Sequence, residues 1–292
     1  MLRNKQYIFI AMLIFLTGAV GYFFSLAPDS NQQIKVQLLW QNDTLDCQST
    51  FIAGEDKKTW FVEQLQFFIH DIQFSSENSA WEKVNLLPNF YQVDNSVLLG
   101  KNCRQTKPAS SLDSAGNWQV EFHSDTKITA NSRMKFTLGL PFASNHLNPI
   151  SQKSPLNLPS MFWVWQTGHK FMRLELASSN EQWLFHLGST GCQSASVMRA
   201  PKERCRYSNV FHFEVPAVKN NSKQFVLNLN LAELLNKVTL DSSSSCQSAR
   251  DSESCQQLFR NLSTTNSSTE AIGAGVFNAG NTKHFDRGVD VE

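Results

Sequence analysis

The sequence predicts a mainly β protein: an antiparallel β-sandwich or barrel-like single domain with a few short helices, preceded by an N-terminal transmembrane helix or signal segment. Three observations carry this. Short apolar and aromatic runs recur with polar turns between them, and no regular alternation of strands with amphipathic helices is present. Phe is abundant at 22 residues, with 7 Trp, and aromatic rings pack well on pleated surfaces. A chain of 292 residues that is 41% apolar can fill one large core.

Residues 1–33 read as the membrane or signal segment plus a short linker. Arg3 and Lys5 precede a stretch without charge from Tyr7 to Ala27. As a helix it would be roughly 30 Å long, matching a hydrocarbon core. Residues 25–27 offer a cleavage site for a signal peptidase, but Pro28 follows it. An uncleaved anchor and a cleaved signal peptide both stay open, and in both the positive flank stays inside while the rest is exported. The expected location is periplasmic, anchored to the inner membrane, or soluble after cleavage.

Residues 34–262 read as the β domain. The first strand is expected over 34–40. The run 60–74 is apolar and partly alternating, which would put Phe68, His70, Ile72 and Phe74 on one face. Strands follow over 83–87, 91–99, 118–123 and 134–140, then a Pro-containing loop over 145–159. Aromatic strands are expected over 161–176 and 182–187, and further strands over 210–215 and 224–229. Residues 231–237 and 255–262 read as short helices. From 263 to 292 Ser, Thr, Asn and Gly dominate, which predicts a polar flexible tail.

Charge and motif content exclude several function classes. With 26 basic and 25 acidic residues the net charge is +1, so no clustered positive field exists to hold nucleic acid. No Gly-rich phosphate loop, His-Glu-x-x-His, nucleophile elbow or haem-attachment motif occurs. Ser189 near His186 is the one nucleophile–base pair worth naming for a hydrolase, and the expectation is a binding protein rather than an enzyme.

Six cysteines in an exported chain read as disulfides, and six allow 15 pairings. Local spacing favours Cys192–Cys205 and Cys246–Cys255, which leaves Cys47–Cys103. Among the seven histidines, imidazole being a leading ligand for copper and zinc, three have notable context. His146 lies in the Pro-containing loop, His186 ends a strand before a Gly-rich turn, and His70 lies on a strongly apolar strand. Trp163 and Trp165, two residues apart, would share one side of a regular strand. They read as core packing or as an electron-rich site beside a redox metal.

The ordered segments LGLPFASNH (138–146), SPLN (154–157), MFWVWQTG (161–168) with Lys170 and Phe171, and FHLGSTGC (185–192) resemble the MbnP-like family. So do a second cysteine at Cys205, the pair Cys246 and Cys255 after NLAELL (230–235), and the early strand FFIHDIQF (67–74). This group is also described as the four-Cys member of a metallo-mystery pair. The resemblance implies a periplasmic copper-binding protein whose partner, a di-haem cytochrome c peroxidase/MauG-like oxidase, converts a Trp to kynurenine. It further implies His146 and His186 as metal ligands, with His70 as a third candidate. Trp163 or Trp165 is the candidate for modification, with Trp81 less well supported. Two positions depart from the family pattern: His169 stands where Tyr is usual, and Gln247 follows Cys246 where Met is common. His169 could add a ligand or merely replace a ring. The alternative reading is a membrane-tethered, disulfide-stapled β binding or adhesion module without metal.

Overall fold

The alternation of apolar and polar residues builds strands, as expected, and two sheets close over one core. The computed structural model describes residues 32–76, 79–104, 116–123, 128–129, 131–216, 225–263 and 275–280. The expected membrane or signal segment therefore lies outside the described residues. No helix among the described residues is long and apolar enough to cross a membrane. In chain order the strands are β1 (Gln32–Trp40), β2 (Asp43–Thr44), β3 (Thr50–Ala53), β4 (Lys58–Ser76), β5 (Glu82–Lys83), β6 (Gln92–Val93) and β7 (Ser96–Asn102). There follow β8 (Gln119–Phe122), β9 (Ser132–Leu138), β10 (Lys170–Ala177), β11 (Gln182–Gly188), β12 (Phe211–Val215), β13 (Phe225–Asn230) and β14 (Phe277–Ala279). The helices are short: α1 (Phe142–Asn145), α2 (Leu231–Leu234) and α3 (Glu253–Ser263).

One sheet runs β14-β13-β1, with β2 and β8 both on the remaining side of β1. Its β1–β13 pair is parallel, with Ile34 opposite Phe225 and Leu38 opposite Leu229. The rest of both sheets is antiparallel, and the long connection between these two strands leaves the chain free to return in the same direction. The other sheet is organised on β4, a 19-residue strand. It pairs with β10 and then β9 along one side, and with β3, β7 and β5 along the other. β11 extends the sheet beyond β10, and β12 beyond β9.

Rings from the two sheets meet in the core. Phe74 of β4 packs against Phe122 and Phe225 of the first sheet. Phe277 of β14 contacts Phe67, Phe136 and Phe213, with centroids 4.7–5.8 Å apart. This corrects the expectation of a uniformly loose tail from 263. Residues 276–279 hold a buried strand that completes the first sheet, because Val276 and Phe277 supply the apolar face that β13 needs.

A second correction concerns β4. Asp71 takes a left-handed backbone, φ +53°, and the pairing with β9 slips between His70 and Gln73. Two residues of β4 there oppose one of β9, which is a β-bulge and reverses the facing of all that follows. Phe68 and His70 still share a face. Phe74 instead joins Ile69 on the core side, so the alternation read across 68–74 does not hold.

Three disulfides staple the fold: Cys47–Cys103, Cys192–Cys205 and Cys246–Cys255. They are the pairs that spacing and elimination named.

Candidate metal centre

The two tryptophans of the 161–168 segment sit on a tight turn, not on a strand as expected. Phe162 bridges to His169. The Trp163 N–H donates to the Gly168 carbonyl at 3.0 Å, and the Val164 carbonyl accepts from Thr167 and Gly168 at 3.1 and 2.8 Å. Gly168 closes the turn in the left-handed region, φ +79°, where a Cβ would also lie 2.5 Å from Asn145 Oδ1. Alternation therefore does not apply to Trp163 and Trp165, and each half-buried ring is directed by the turn toward a different histidine neighbourhood.

Trp165 is tied to His146. Its Nε1–H donates to the His146 carbonyl at 2.7 Å, while His146 Nδ1 lies 3.5 Å from the Trp165 carbonyl. His146 caps the one-turn helix α1 and is only 4% exposed. Its Nε2 accepts from Asn145 Nδ2 at 3.2 Å and lies 3.5 Å from Cys205 Sγ. The proton therefore belongs on Nδ1 and the lone pair on Nε2. Burial pushes its pKa below the ordinary histidine value, against the opposing pull of the Trp165 carbonyl, so the ring is a neutral, ligand-competent imidazole at pH 7. His146, Cys192 and Cys205 place one ligand atom each within 4.8 Å of one another. The two sulfurs are bonded to each other, however, so they offer no thiolate, and this group contributes His146 alone.

His186 stands on β11 opposite Arg173 of β10. Its Nε2–H donates to Glu175 Oε1 at 2.8 Å, where the Arg173 Nε–H also donates, at 2.6 Å. Arg104 lies 2.9 Å from Glu175 Oε2, an ion pair without hydrogen-bond alignment, and Arg104 also pairs with Glu63. Burial alone would raise the Glu175 pKa. The hydrogen bonds from His186 and Arg173, with the charges of Arg173 and Arg104, outweigh it and bring it to about 2. The His186 pKa is lowered, chiefly by burial, despite its carboxylate partner. The two directions agree on one state: an ionised Glu175 accepting from a neutral His186. That leaves the His186 Nδ1 lone pair free, with a carboxylate fixing the tautomer, which is how metal-binding imidazoles are commonly held. Trp163 packs over the end of the same strand, where a Cβ on Gly188 would meet its ring at 2.4 Å.

The remaining candidates are His169 and His70, both of which border His146 through Asn145, and Trp81. His169 is fully buried, edge-on to Phe68 and Phe162. Its Nδ1 and Nε2 face the carbonyls of Asn145 and Leu156 at 3.1 and 2.9 Å. A neutral ring donates to only one of these carbonyls, but both nitrogens are covered by carbonyl oxygens, so His169 presents no nitrogen to a ligand. Burial lowers its pKa, with the two carbonyls opposing. His70 faces Thr137 and His212 in a cavity of about 300 Å³. The structure does not gather His70, His146 and His186 into one group, since none of the described residues beyond His146 and the disulfide place three such atoms within 4.8 Å of one another. Trp81 is stacked by Lys135 and Arg133. Ser189 donates to the Ser208 carbonyl while His186 Nε2 faces Glu175, so they form no nucleophile–base pair.

Sequence reasoning missed Glu175, Arg173 and Asn145. The signal for the first two was a pair of charged residues at alternate positions in the otherwise apolar run 171–177. Asn145 carried none: its amide holds His146, and its Oδ1 accepts the His169 N–H at 2.7 Å.

Comparisons with known proteins agree with the sequence motifs. The family model described as MbnP matches residues 29–248. The solved structure of MbnP from Methylosinus trichosporium aligns with a TM-score of 0.66 at 19% identity, covering 80% of this chain and 88% of that chain. At that identity the likeness speaks for a shared fold. Among curated proteins, none matches the chain. The family match spans most of the β domain and contains every motif segment quoted above except Cys255, and on that basis the chain belongs to the MbnP family.

Proposed function

We propose that this is an exported copper-binding protein acting in copper acquisition, storage or delivery, with His146 and His186 as its imidazole ligands. The observation that carries the reading is one Trp-x-Trp turn that touches His146 and the end of the strand carrying His186. Trp165 is hydrogen-bonded to His146, and Trp163 lies on Gly188, two residues beyond His186. Both imidazoles are neutral: His186 has its Nδ1 lone pair free, and a metal at His146 Nε2 would replace the hydrogen bond that Asn145 Nδ2 donates there.

The donor chemistry fits copper. Imidazole nitrogen suits it, and copper heads the divalent affinity order for such sites. All six cysteines are in disulfides, so thiolate-dependent zinc or iron–sulfur sites are disfavoured. Bound copper would supply redox chemistry. The chain's own part is to hold the two rings, with Glu175 orienting His186 and Asn145 orienting His146.

On this reading a di-haem MauG-like oxidase matures the protein by oxidising Trp163 or Trp165 to kynurenine. Both rings are only half-buried, and Val164 between them is 38% exposed, so the turn is open to electron transfer at the surface. A periplasmic location, with the N-terminal segment as anchor or signal, agrees with three disulfides. The protein's role is binding, not catalysis.

The test is intact mass and metal content of the protein exported with and without a di-haem partner. Bound copper, and a mass change on the peptide carrying Trp163 and Trp165 that depends on the partner, is the expected result. Unmodified, metal-free protein with both copper and partner supplied would favour a disulfide-stapled binding module instead.

A further inference from the structure

We propose that His70 and His212 form a second imidazole site, for one transition-metal ion of the copper–zinc type, with ligands distinct from His146 and His186, in a cavity bordered by the His146 neighbours Asn145 and Cys205. The topology makes the pair. On β9, Thr137 stands opposite His70 of β4 on one side and opposite His212 of β12 on the other. Residues opposite one another share a face, so the three side chains form one row with a small residue between two imidazoles. Backbones one strand apart twice over are about 10 Å from each other, a gap that two inclined imidazoles with metal bonds of about 2 Å can span.

The row opens into the cavity of about 300 Å³, which Asn145, Arg204, Cys205 and Ser208 also line. Thr137 Oγ1 lies 2.9 Å from His212 Nδ1, fixing that ring and leaving Nε2 for a ligand. His70 Nδ1 is buried and has no hydrogen-bond partner among the described residues. An orphaned buried polar group is destabilising. A bound ion explains it: one nitrogen becomes a ligand and the ring is held.

The charges around the pair suit a cation at the imidazoles. The Asp71 carboxylate acts on His70, and burial keeps that ring neutral, with its lone pair available. Arg204 is the opposing charge, but it is exposed at the cavity rim, where a long side chain can turn to water. An anion would need donors, and a neutral imidazole donates only once.

The experiment is a Cu(II) titration of the metal-free full chain, read by electron paramagnetic resonance for nitrogen-coupled copper. The variants are His212→Ala, His212→Gln and the double variant His146→Ala/His186→Ala. His212 is exposed on the outer strand, so both replacements leave the core intact, and a melting curve checks this. The expected result is that each His212 variant loses one nitrogen-coupled copper signal, or binds it at least about tenfold more weakly. The double variant keeps that signal and loses the other. A failure of the His146–His186 reading would leave the His212-dependent signal in place, so the two proposals fail separately. Unchanged titrations in both His212 variants would overturn the second site. So would His212-dependent stabilisation by acetate or chloride with no His212-dependent copper, which would make the cavity an anion site.

Discussion

Glu175 governs the most consequential side chain in the fold. It accepts from His186 of β11 and from Arg173, its neighbour on β10, and pairs with Arg104. Replacing it by Gln keeps the size but removes the charge that fixes His186. Loss of such a partner typically costs 10–100-fold in metal affinity, so Glu175→Gln is expected to raise the copper Kd by about that factor in a competition titration. An unchanged Kd would remove His186 from the ligand set. The same residues set the acid response of the metal-free protein. His70 is held down to about 4 by burial and His212, against Asp71; His146, His169 and His186 shift in the same direction, mainly through burial. A depressed histidine pKa means the unfolded chain takes up protons first. Stability is thus whole above about pH 6.5 and falls toward pH 4, and Glu175 extends the loss from its ordinary 4.5 down to about 2. Denaturation midpoints across pH 4–7 check this, and His70→Asn should flatten part of the slope. At this scale His146 and His186 stand out in the sequence as candidates, because each sits in a dense motif. Glu175 and Asn145 were not: a carboxylate on a strand and an amide in a loop have no signature until pairing brings them to a ring nitrogen.

At the scale of elements, the 162–169 turn is where sequence and structure part. Its aromatic content reads as strand, yet Gly168 in a left-handed conformation and the doubly accepting Val164 carbonyl fold it back on itself. Local hydrogen bonding there overrides β propensity. The turn packs on β11 through Trp163 and Gly188, so Gly188→Ala must displace the indole or the His169 carbonyl, 2.4 and 2.8 Å from the added Cβ. Overpacking of this kind costs about 1–3 kcal/mol, and a shift in tryptophan emission should accompany the lower melting temperature. Wild-type emission and stability in that variant would show the indole is not seated there. The bulge at Asp71 was equally hidden. Strand periodicity predicts facing only while the register holds, and a single left-handed residue in an otherwise apolar run gives no compositional warning.

For the whole molecule, the two-sheet arrangement was legible because its long strands alternate, and the disulfide pairs were legible from spacing and elimination. The strand at 277–279 was not, since three residues between polar stretches carry too little pattern to announce that they close a sheet. Phe277 meets three core rings and is 1% exposed. Phe277→Ala should cost about 3–5 kcal/mol by denaturant unfolding, whereas a peripheral strand would lose under about 1 kcal/mol. The Cys47–Cys103 bridge closes the longest loop of the three, with a separation of 56 residues. These devices hold β10, β11 and the 162–169 turn in fixed relation, and that relation is what the copper reading depends on. The direct test is elemental analysis, after dialysis, of protein exported in the presence of copper, comparing the native chain with His146→Ala/His186→Ala. The account predicts more copper retained by the native chain than by the double variant, which keeps only the His212-dependent ion, with both folded; equal copper in the two, or none in the native chain with its oxidase partner present, would contradict it.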